Sequence, residues 1–366
     1  MKRIPYKRIV NWFFVVANLF VALLLVASAY SDRLSPARSL LFSYLGLVFP
    51  FICILNVCFV VYWICLLQWR FVLIGVGAFV VCWNPVKSYF PFHLRTDPLP
   101  AERVIKVLTY NVMSFAEKDH TADSPNMIVQ YIADSDADIV CMQEYFVGTS
   151  AKRLTVEKLN KALHMYPYHS TVFFNNSSKW GLAVYSKYPI SASRRAPYKS
   201  RNNGSSIHEI DIDGKRLTLI NNHLESFKLT AEDRSRYSGF IKGVGPETFG
   251  GLRGVIQQKL GPAFLIRAKQ ADVIAEEIRR MKSDYILVCG DFNDTPVSYT
   301  HRTVQGALKD AFAESGRGAG VTYNQNFFWF RIDHILHSSN MKAINCTIDK
   351  VKYSDHYPVW CYFALN

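Results

Sequence analysis

The segment Tyr285-Ile-Leu-Val-Cys-Gly-Asp-Phe-Asn293 joins a short apolar run to a polar turn. The five residues before Gly290 are apolar or aromatic and include two β-branched side chains, which predicts a buried strand that ends at the glycine. Asp291 and Asn293 then stand at the strand end, where a sheet holds side chains rigidly and loops admit a substrate. This position favours a functional site, although Asp and Asn also cap ordinary turns.

The same arrangement recurs across residues 103–366, where short strand patterns alternate with helical patterns. Val104–Tyr110 alternates as a strand does, and Met127–Ala133 has the apolar spacing of a helix. Side chains that can bind a metal or transfer a proton follow several of the predicted strands: Asn111, Glu144, His223, Asp291 with Asn293, Asp333, and Asp355 with His356. We therefore expect an α/β domain whose site is assembled at the strand ends.

Six motifs in chain order carry a resemblance to a known superfamily: Thr109-Tyr-Asn111, Asp138-Ile-Val-Cys-Met-Gln-Glu144, Asn222-His-Leu-Glu-Ser226, Gly290-Asp-Phe-Asn293, Arg331-Ile-Asp333 and Ser354-Asp-His-Tyr-Pro358. With these motifs, the globular domain resembles the endonuclease/exonuclease/phosphatase superfamily, which has the deoxyribonuclease I-like fold. The resemblance implies an α/β (α+β) four-layer sandwich of two mixed, mostly antiparallel β-sheets flanked by helices. It does not extend to residues 1–95.

The resemblance also implies metal-assisted hydrolysis of a phosphate ester, with Mg²⁺ as the cofactor and Mn²⁺ as a substitute. A divalent cation neutralises the phosphate charge that repels a nucleophile, and hard oxygen ligands suit Mg²⁺. We expect Glu144 to be the main metal ligand, with Asn111 and Asp355 completing or supporting the site.

Five further residues are expected to act on water or on the phosphate. By resemblance, Asp291 orients or deprotonates the attacking water, and Asn293 donates to a phosphoryl oxygen, as a neutral amide can. His356 is expected to be a general base or a phosphate contact, with Asp333 fixing its tautomer. His223 is expected to donate to a phosphate oxygen or to protonate the leaving group.

The partner of His223 departs from the family pattern. Deoxyribonuclease I-like nucleases pair this histidine with a glutamate from the preceding hairpin, but residues 165–187 contain no acidic residue. Glu209 and Glu225 are the substitutes that the sequence offers.

The first hundred residues have a different composition from the rest, with nine basic and two acidic side chains against 33 and 27 in residues 101–366. Two uncharged runs, of 23 residues from Ile9 and 31 residues from Ser39, exceed the ~20 residues that a membrane span needs. A weaker run begins at Phe71. We expect a transmembrane region over residues 1–94 with about three helices near 9–31, 40–67 and 71–92, a linker over 95–102 and a catalytic domain over 103–366.

The basic residues Lys2, Arg3, Lys7 and Arg8 precede the first span and predict a cytoplasmic N-terminus. Three spans would then place the catalytic domain outside the cytoplasm, as part of an integral protein of the plasma or inner membrane. Failure of the third span would return the domain to the cytoplasm. The net charge of +13 is weak evidence for nucleic-acid binding, because the first hundred residues supply more than half of it.

The substrate stays open between several classes. A phospholipid headgroup or similar phosphodiester is favoured by the membrane tether and by residues 227–263, a glycine-rich and apolar insertion that is either a lid or a packed loop. An extracytoplasmic nuclease acting on DNA or RNA is favoured by the fold and by the basic stretch 193–202, which is otherwise a solvated hairpin. The third alternative is an inactive membrane interaction module. The bilayer and a phosphate ester are the expected partners, and the sequence indicates no protein partner.

Overall fold

The computed structural model of the protein describes residues 6–96, 103–148, 153–175, 179–200, 203–230, 232, 233, 235, 239, 254, 256–323, 325 and 329–365. Three predicted features lie partly outside these residues. They are the first basic residues of the chain, positions 97–102 of the linker and most of the insertion between positions 231 and 255.

Four helices occupy the first part of the chain: α1 (Tyr6–Ala29), α2 (Leu40–Cys65), α3 (Trp69–Val81) and α4 (Trp83–Tyr89). Within the described residues, α1 from Val10 onward and α2 are long and apolar enough to cross a membrane. Helices α3 and α4 meet that test only together, and they are bent by 70° at the break between them. Pro85 lies in the first turn of α4, where its missing N–H costs no helical hydrogen bond. The third apolar run is therefore a bent pair of helices.

Twelve strands follow in the described residues: β1 (Arg103–Asn111), β2 (Ile139–Tyr145), β3 (Tyr168–Asn175), β4 (Trp180–Ser186), β5 (Ile190–Arg195), β6 (Gly204–Ile212), β7 (Lys215–His223), β8 (Tyr285–Asp291), β9 (Lys309–Asp310), β10 (Asp333–His337), β11 (Met341–Ile348) and β12 (Val359–Leu365). Five helices accompany them: α5 (Met127–Asp134), α6 (Val156–Ala162), α7 (Gly261–Arg280), α8 (Tyr299–Gln305) and α9 (Ala311–Ser315).

The strands form two six-stranded sheets, in the orders β11-β12-β1-β2-β4-β3 and β5-β6-β7-β8-β10-β9. Apolar side chains of both sheets, including Val107 and Leu219, are fully buried between them. The outer face of the first sheet packs on α5 and α6, and the outer face of the second packs on α7 and α8. The predicted four-layer sandwich of mixed, mostly antiparallel sheets is confirmed, since only β1–β2 and β7–β8 pair in parallel.

The two parallel pairs bring functional side chains to one edge of the sandwich. Asn111 at the end of β1 lies opposite Gln143, and His223 at the end of β7 lies opposite Asp291. Asp333, the first residue of the antiparallel strand β10, is also opposite Asp291. This register explains why motifs far apart in sequence converge on a single site.

The apolar helices pack directly on the catalytic domain. Ser31 Oγ, just after α1, donates a hydrogen bond to the Val297 carbonyl oxygen at 3.1 Å, and the Tyr44 ring of α2 meets the Phe264 ring edge-on at 5.6 Å. Gly46 permits this approach, because a Cβ atom there would lie 2.8 Å from the same Val297 oxygen. The contact between helices and domain was not predicted from the sequence.

Candidate active site

All eight predicted site residues come together at this edge of the sandwich. Six of them line one cleft, and the other two are hydrogen-bonded to side chains that line it. The six are Glu144, His223, Asp291, Asn293, Asp355 and His356. The two supporting residues are Asn111, whose Nδ2 lies 3.3 Å from Glu144 Oε1 and 3.2 Å from Asp291 Oδ2, and Asp333, which contacts His356.

Glu144 reaches the cleft because strand β2 is irregular at its end. The pairing register shifts between Met142 and Tyr145, and Glu144 has a φ of +51°, a conformation that is costly for a side chain larger than glycine. Its side chain remains 27% exposed and can therefore meet a ligand in the cleft. Burial, and then the negative charge of Asp355, raise the pKa of Glu144.

Asp291 is the most buried carboxylate that lines the cleft. Burial raises the pKa of Asp291 to about 6, the positive charge of His356 opposes this shift, and the charge of Asp333 adds to it. Oδ1 of Asp291 accepts a hydrogen bond from the backbone N–H of Asn293 at 2.8 Å, which holds the turn in place.

The chemistry of the donor set fits a divalent cation. Glu144, Asp291, Asp333 and Asp355 form an acidic centre, in which burial and the charges of neighbouring carboxylates raise the pKa of Glu144 and of Asp291. Oxygen donors of Glu144 and Asp355 are the type that Mg²⁺ prefers. Asn111, expected to complete or support the site, presents its Nδ2 to the carboxylates, while its Oδ1 accepts from the Met113 N–H, so it supports the ligands. Atoms of Asp291, Asp333 and His356 also lie within 4.8 Å of one another, so the same centre offers a second set of potential ligands.

His356 lies between two carboxylates. Its Nδ1 is 2.9 Å from Asp333 Oδ2, and its Nε2 is 3.6 Å from Asp291 Oδ2. Burial alone would favour the neutral ring, but the charges of Asp333 and Asp291 outweigh it and raise the pKa of His356 well above its usual value. A protonated ring favours the phosphate contact over the general base, the two roles that the sequence left open.

His223 lies beside the same Asp291 oxygen as His356. Its Nε2 is 3.6 Å from Glu144 Oε1 and 3.8 Å from Asp291 Oδ2, and burial lowers the pKa of the ring. Asn203 Nδ2 lies closer to Nε2 than either carboxylate, at 3.3 Å. A neutral His223 is therefore held at the cleft by an amide.

Neither of the acidic partners suggested for His223 contacts it in the described residues. Glu209 accepts hydrogen bonds from Thr218, and Glu225 forms an ion pair with Lys228. Asn203 instead occupies the partner position. It lies in the short turn before β6, and no local pattern distinguished it from an ordinary turn residue.

Asn293 uses part of its side-chain amide in a hydrogen bond within the domain. It has a φ of +53°, and its Nδ2 donates a hydrogen bond to the Leu224 carbonyl at 3.0 Å. Because an amide nitrogen carries two hydrogens, one remains for a ligand in the cleft.

Arg267 supports the same loop and was missed in the sequence. It is fully buried, donates to the Glu225 carbonyl at 2.7 Å and lies 3.3 Å from Asp294 Oδ2. The available signal was a charged residue three positions after Phe264, on the face of helix α7 that the apolar spacing predicts to be buried.

The opposite wall of the cleft is apolar and includes a residue of helix α2. This wall is lined by Leu47, Phe227, Leu229, Leu260 and Phe330. One helical turn after Leu47, the Phe51 ring packs edge-on against Phe330 with ring centroids 6.2 Å apart. The two ends of the predicted insertion thus line the cleft, while positions 240–253 lie outside the described residues.

Two arginines of the basic stretch predicted at 193–202 contact other parts of the domain. Arg194 Nη2 lies 2.5 Å from Glu277 Oε2, and Arg195 donates to the carbonyl oxygens of Phe174 and Ser200. Positions 201 and 202 lie outside the described residues. The Glu277 carboxylate compensates the charge of Arg194, whereas Arg195 donates to neutral carbonyl oxygens and keeps its charge.

Comparison with known proteins bears on both parts of the chain. The sequence model of the Endonuclease/Exonuclease/phosphatase family matches residues 108–356, and that of a domain of unknown function, DUF8431, matches residues 11–89. No curated protein matches the chain by sequence.

Solved structures show the same fold. An endonuclease/exonuclease/phosphatase from Bacteroides vulgatus is 20% identical, with a TM-score of 0.50 over 72% of this chain and 100% of its own. TDP2 from D. rerio, in complex with a single-strand DNA product, is 15% identical, with a TM-score of 0.50 over 72% of this chain and 99% of its own. At these identities the similarity concerns the fold alone.

Proposed function

Because the chain belongs to the endonuclease/exonuclease/phosphatase family, we propose that it is a membrane-attached phosphodiesterase that hydrolyses the headgroup phosphodiester of a membrane lipid with Mg²⁺ as cofactor. Membership of the family makes it a metal-dependent hydrolase of phosphate esters. The lipid substrate, the choice of Mg²⁺ and a catalytic domain on the extracytoplasmic side are our inferences.

The proposal of a lipid substrate rests on the position of Leu47. This residue belongs to α2, a helix long and apolar enough to cross a membrane, and it lines the same cleft as Glu144 and His356. Farther along α2, Leu55 and Val61 are about half exposed, which suits contact with acyl chains. A lipid whose chains remain in the bilayer beside α2 could therefore place its phosphate in the polar half of the cleft.

The donor set supports a division of roles at the phosphate. Glu144 and Asp355 would hold Mg²⁺, with Asn111 orienting Glu144 through its Nδ2. The bound ion would supply positive charge that neutralises the phosphate and the charge gained during attack. Asp291, with its pKa near 6, accepts a proton from the attacking water at neutral pH.

The remaining groups act on the other phosphate oxygens. His356 Nε2 and the second amide hydrogen of Asn293 donate to non-bridging oxygens. His223 Nε2 donates a hydrogen bond to the oxygen that leaves in the tautomer that carries its hydrogen on Nε2, and it accepts from Asn203 in the other tautomer. Water adds to phosphorus and its proton passes to Asp291. The bond from phosphorus to the leaving oxygen breaks, this oxygen takes up a proton from solvent water, and no covalent enzyme intermediate forms.

The test is hydrolysis by the full chain reconstituted in vesicles, with Mg²⁺ or with chelator. Phosphatidylcholine, phosphatidylglycerol, sphingomyelin, single-stranded DNA, RNA and a soluble chromogenic phosphodiester would be compared, with Asp291→Ala as the inactive control. We expect Mg²⁺-dependent hydrolysis of a lipid. Leu47→Gln should lower lipid turnover about tenfold relative to turnover of the soluble diester, since it removes apolar surface from the cleft.

Leu41→Gln is the matched control, because Leu41 is exposed on the same helix and does not line the cleft. Cleavage of DNA or RNA without lipid hydrolysis would establish the nuclease instead. Absence of any hydrolysis together with absence of Mg²⁺ binding would establish the inactive module.

A further inference from the structure

A second cleft lies on the side of the catalytic domain, between the segment that follows α4, the loop after α9 and strand β11. It has a volume of about 480 Å³, and its basic lining residues are His93, Arg95, Arg317 and Lys350. Asn345 contributes a neutral polar group. This cleft shares no lining residue with the catalytic cleft.

The charge of this second cleft is of one sign. No carboxylate lines it, and among the described residues Arg95, Arg317 and Lys350 form no ion pair. Other arginines of the domain are paired, as Arg302 is with Asp32 and Arg194 with Glu277. Uncompensated cations in a concave surface concentrate anions, because the low-dielectric walls focus their field.

The walls of the cleft are held by specific contacts. The Arg317 guanidinium stacks on the Phe92 ring at 4.6 Å from its centroid. The Asn345 side chain accepts a hydrogen bond from the Thr96 N–H at 3.0 Å and donates to the Thr96 carbonyl at 2.6 Å. These contacts hold the segment that carries His93 and Arg95 against the domain. The basic groups therefore line a cleft whose walls are held in place.

The segment at the cleft also has the character of a membrane interface. It begins directly after the bent helix pair α3 and α4, and Phe92 and Leu94 are 69% and 72% exposed. These apolar residues alternate with His93 and Arg95. Exposed apolar side chains interleaved with basic ones are typical of segments that lie at a lipid headgroup layer.

From this geometry we propose that the second cleft binds the phosphate group of an anionic membrane lipid. Arg95, Arg317 and Lys350 would donate charge-assisted hydrogen bonds to the phosphate oxygens, with Phe92 and Leu94 in contact with the adjoining acyl region. The site would hold the catalytic domain against an anionic bilayer. It is independent of the substrate proposed above, because it needs no catalytic residue.

The test measures lipid retention by native mass spectrometry of the full chain in detergent, with chelator present. A His356→Ala background prevents hydrolysis of the bound lipid. Phosphatidylglycerol is compared with phosphatidylcholine, and inorganic phosphate is added as a soluble competitor. We expect preferential retention of phosphatidylglycerol and about 30-fold weaker binding after Arg317→Ala with Lys350→Ala.

The matched control is Lys282→Ala with Lys342→Ala, which removes two exposed lysines that do not line the cleft. Because Arg317 also packs on Phe92, Lys350→Ala alone is a second variant that leaves this contact intact, and it should weaken binding about fivefold. Equal retention of phosphatidylglycerol by all of these proteins would overturn the proposal. A different result would overturn the assignment to a lipid: the native cleft binds inorganic phosphate, the variants lose this binding, and neither lipid is retained in preference to the other.

Discussion

The carboxylate of Asp333 lies 2.9 Å from Nδ1 of His356, and this contact joins the two sheets at the floor of the catalytic cleft. Asp333 begins β10 of the second sheet, whereas His356 precedes β12 of the first. The pair therefore couples the relative position of the sheets to the orientation and charge of the histidine.

Asp333→Asn should lower kcat by about 100-fold with little change in the fold, because the amide cannot stabilise the protonated His356 ring. Turnover of a soluble chromogenic phosphodiester measures this effect. The pH profile of kcat should also change in the variant, because the Asp333 charge raises the pKa of His356. An unchanged kcat and profile would show that His356 does not act through Asp333.

Glu144→Gln should lower the affinity for Mg²⁺ and the activity together, since it removes a charged oxygen ligand from the acidic centre. A Mg²⁺ titration followed by calorimetry and by activity gives both values. The matched control is Glu157→Gln, an exposed residue on α6 that should alter neither quantity. A loss of activity with unchanged Mg²⁺ affinity would remove Glu144 from the metal site.

Gly46→Leu should separate α2 from the catalytic domain, because a side chain there meets the Val297 carbonyl and the Ser31 side chain. If docking of α2 delivers the substrate, the ratio of lipid to soluble turnover should fall by about tenfold or more. Gly77→Leu is the matched control, since nothing lies within 4 Å of a Cβ atom built at that position. An equal ratio in both variants would argue against substrate delivery along α2.

Asn221→Ala should destabilise the catalytic domain by about 2–3 kcal/mol. Gln143 Nε2 donates to Asn221 Oδ1 at 2.7 Å, and Asn221 Nδ2 donates to the Met142 carbonyl at 3.1 Å across the buried space between the sheets. The substitution leaves these polar partners buried with fewer hydrogen bonds. Denaturant unfolding of the full chain in detergent, followed by tryptophan fluorescence, measures the change, and a loss below about 0.5 kcal/mol would contradict it.

His208 should make the domain less stable in mild acid. It is fully buried between Ser193 and Ser206, and burial lowers the pKa of the ring to about 4. When the pH falls below ~6.5, the ordinary pKa of histidine, His208 takes up a proton in the unfolded chain but stays neutral in the folded one. The folded state therefore loses stability as the pH falls from ~6.5 toward ~4. Between pH ~7 and pH ~5 this amounts to about 2 kcal/mol. The same unfolding measurement on His208→Asn should show a smaller pH dependence than the native chain, and an identical one would refute the assignment.

Much of the catalytic centre was predictable because its residues follow locally recognisable strands. Asn111 and Asp291, for example, each end a short apolar strand pattern. Parallel pairing of β1 with β2 and of β7 with β8 then makes the strand ends meet. The partner of His223 was not predictable in this way. Asn203 lies just before β6 and contacts His223 at the end of the neighbouring strand β7. The glutamates suggested in its place have other partners.

By itself, the sequence determined most of the central strands, the helices α5 and α7, the acidic and histidine residues of the centre and the apolar character of the first hundred residues, since each depends on local spacing. It did not predict the strands β3, β5, β9 and β11. Only the tertiary structure decided that Leu47 of α2 lines the catalytic cleft. The same holds for the second cleft, which Arg95, Arg317 and Lys350 line together. The physical reason is that Leu47 precedes Glu144 by 97 residues and Arg95 precedes Arg317 by 222 residues in the chain. Their contact is set by how packed layers dock on one another, which no local periodicity encodes.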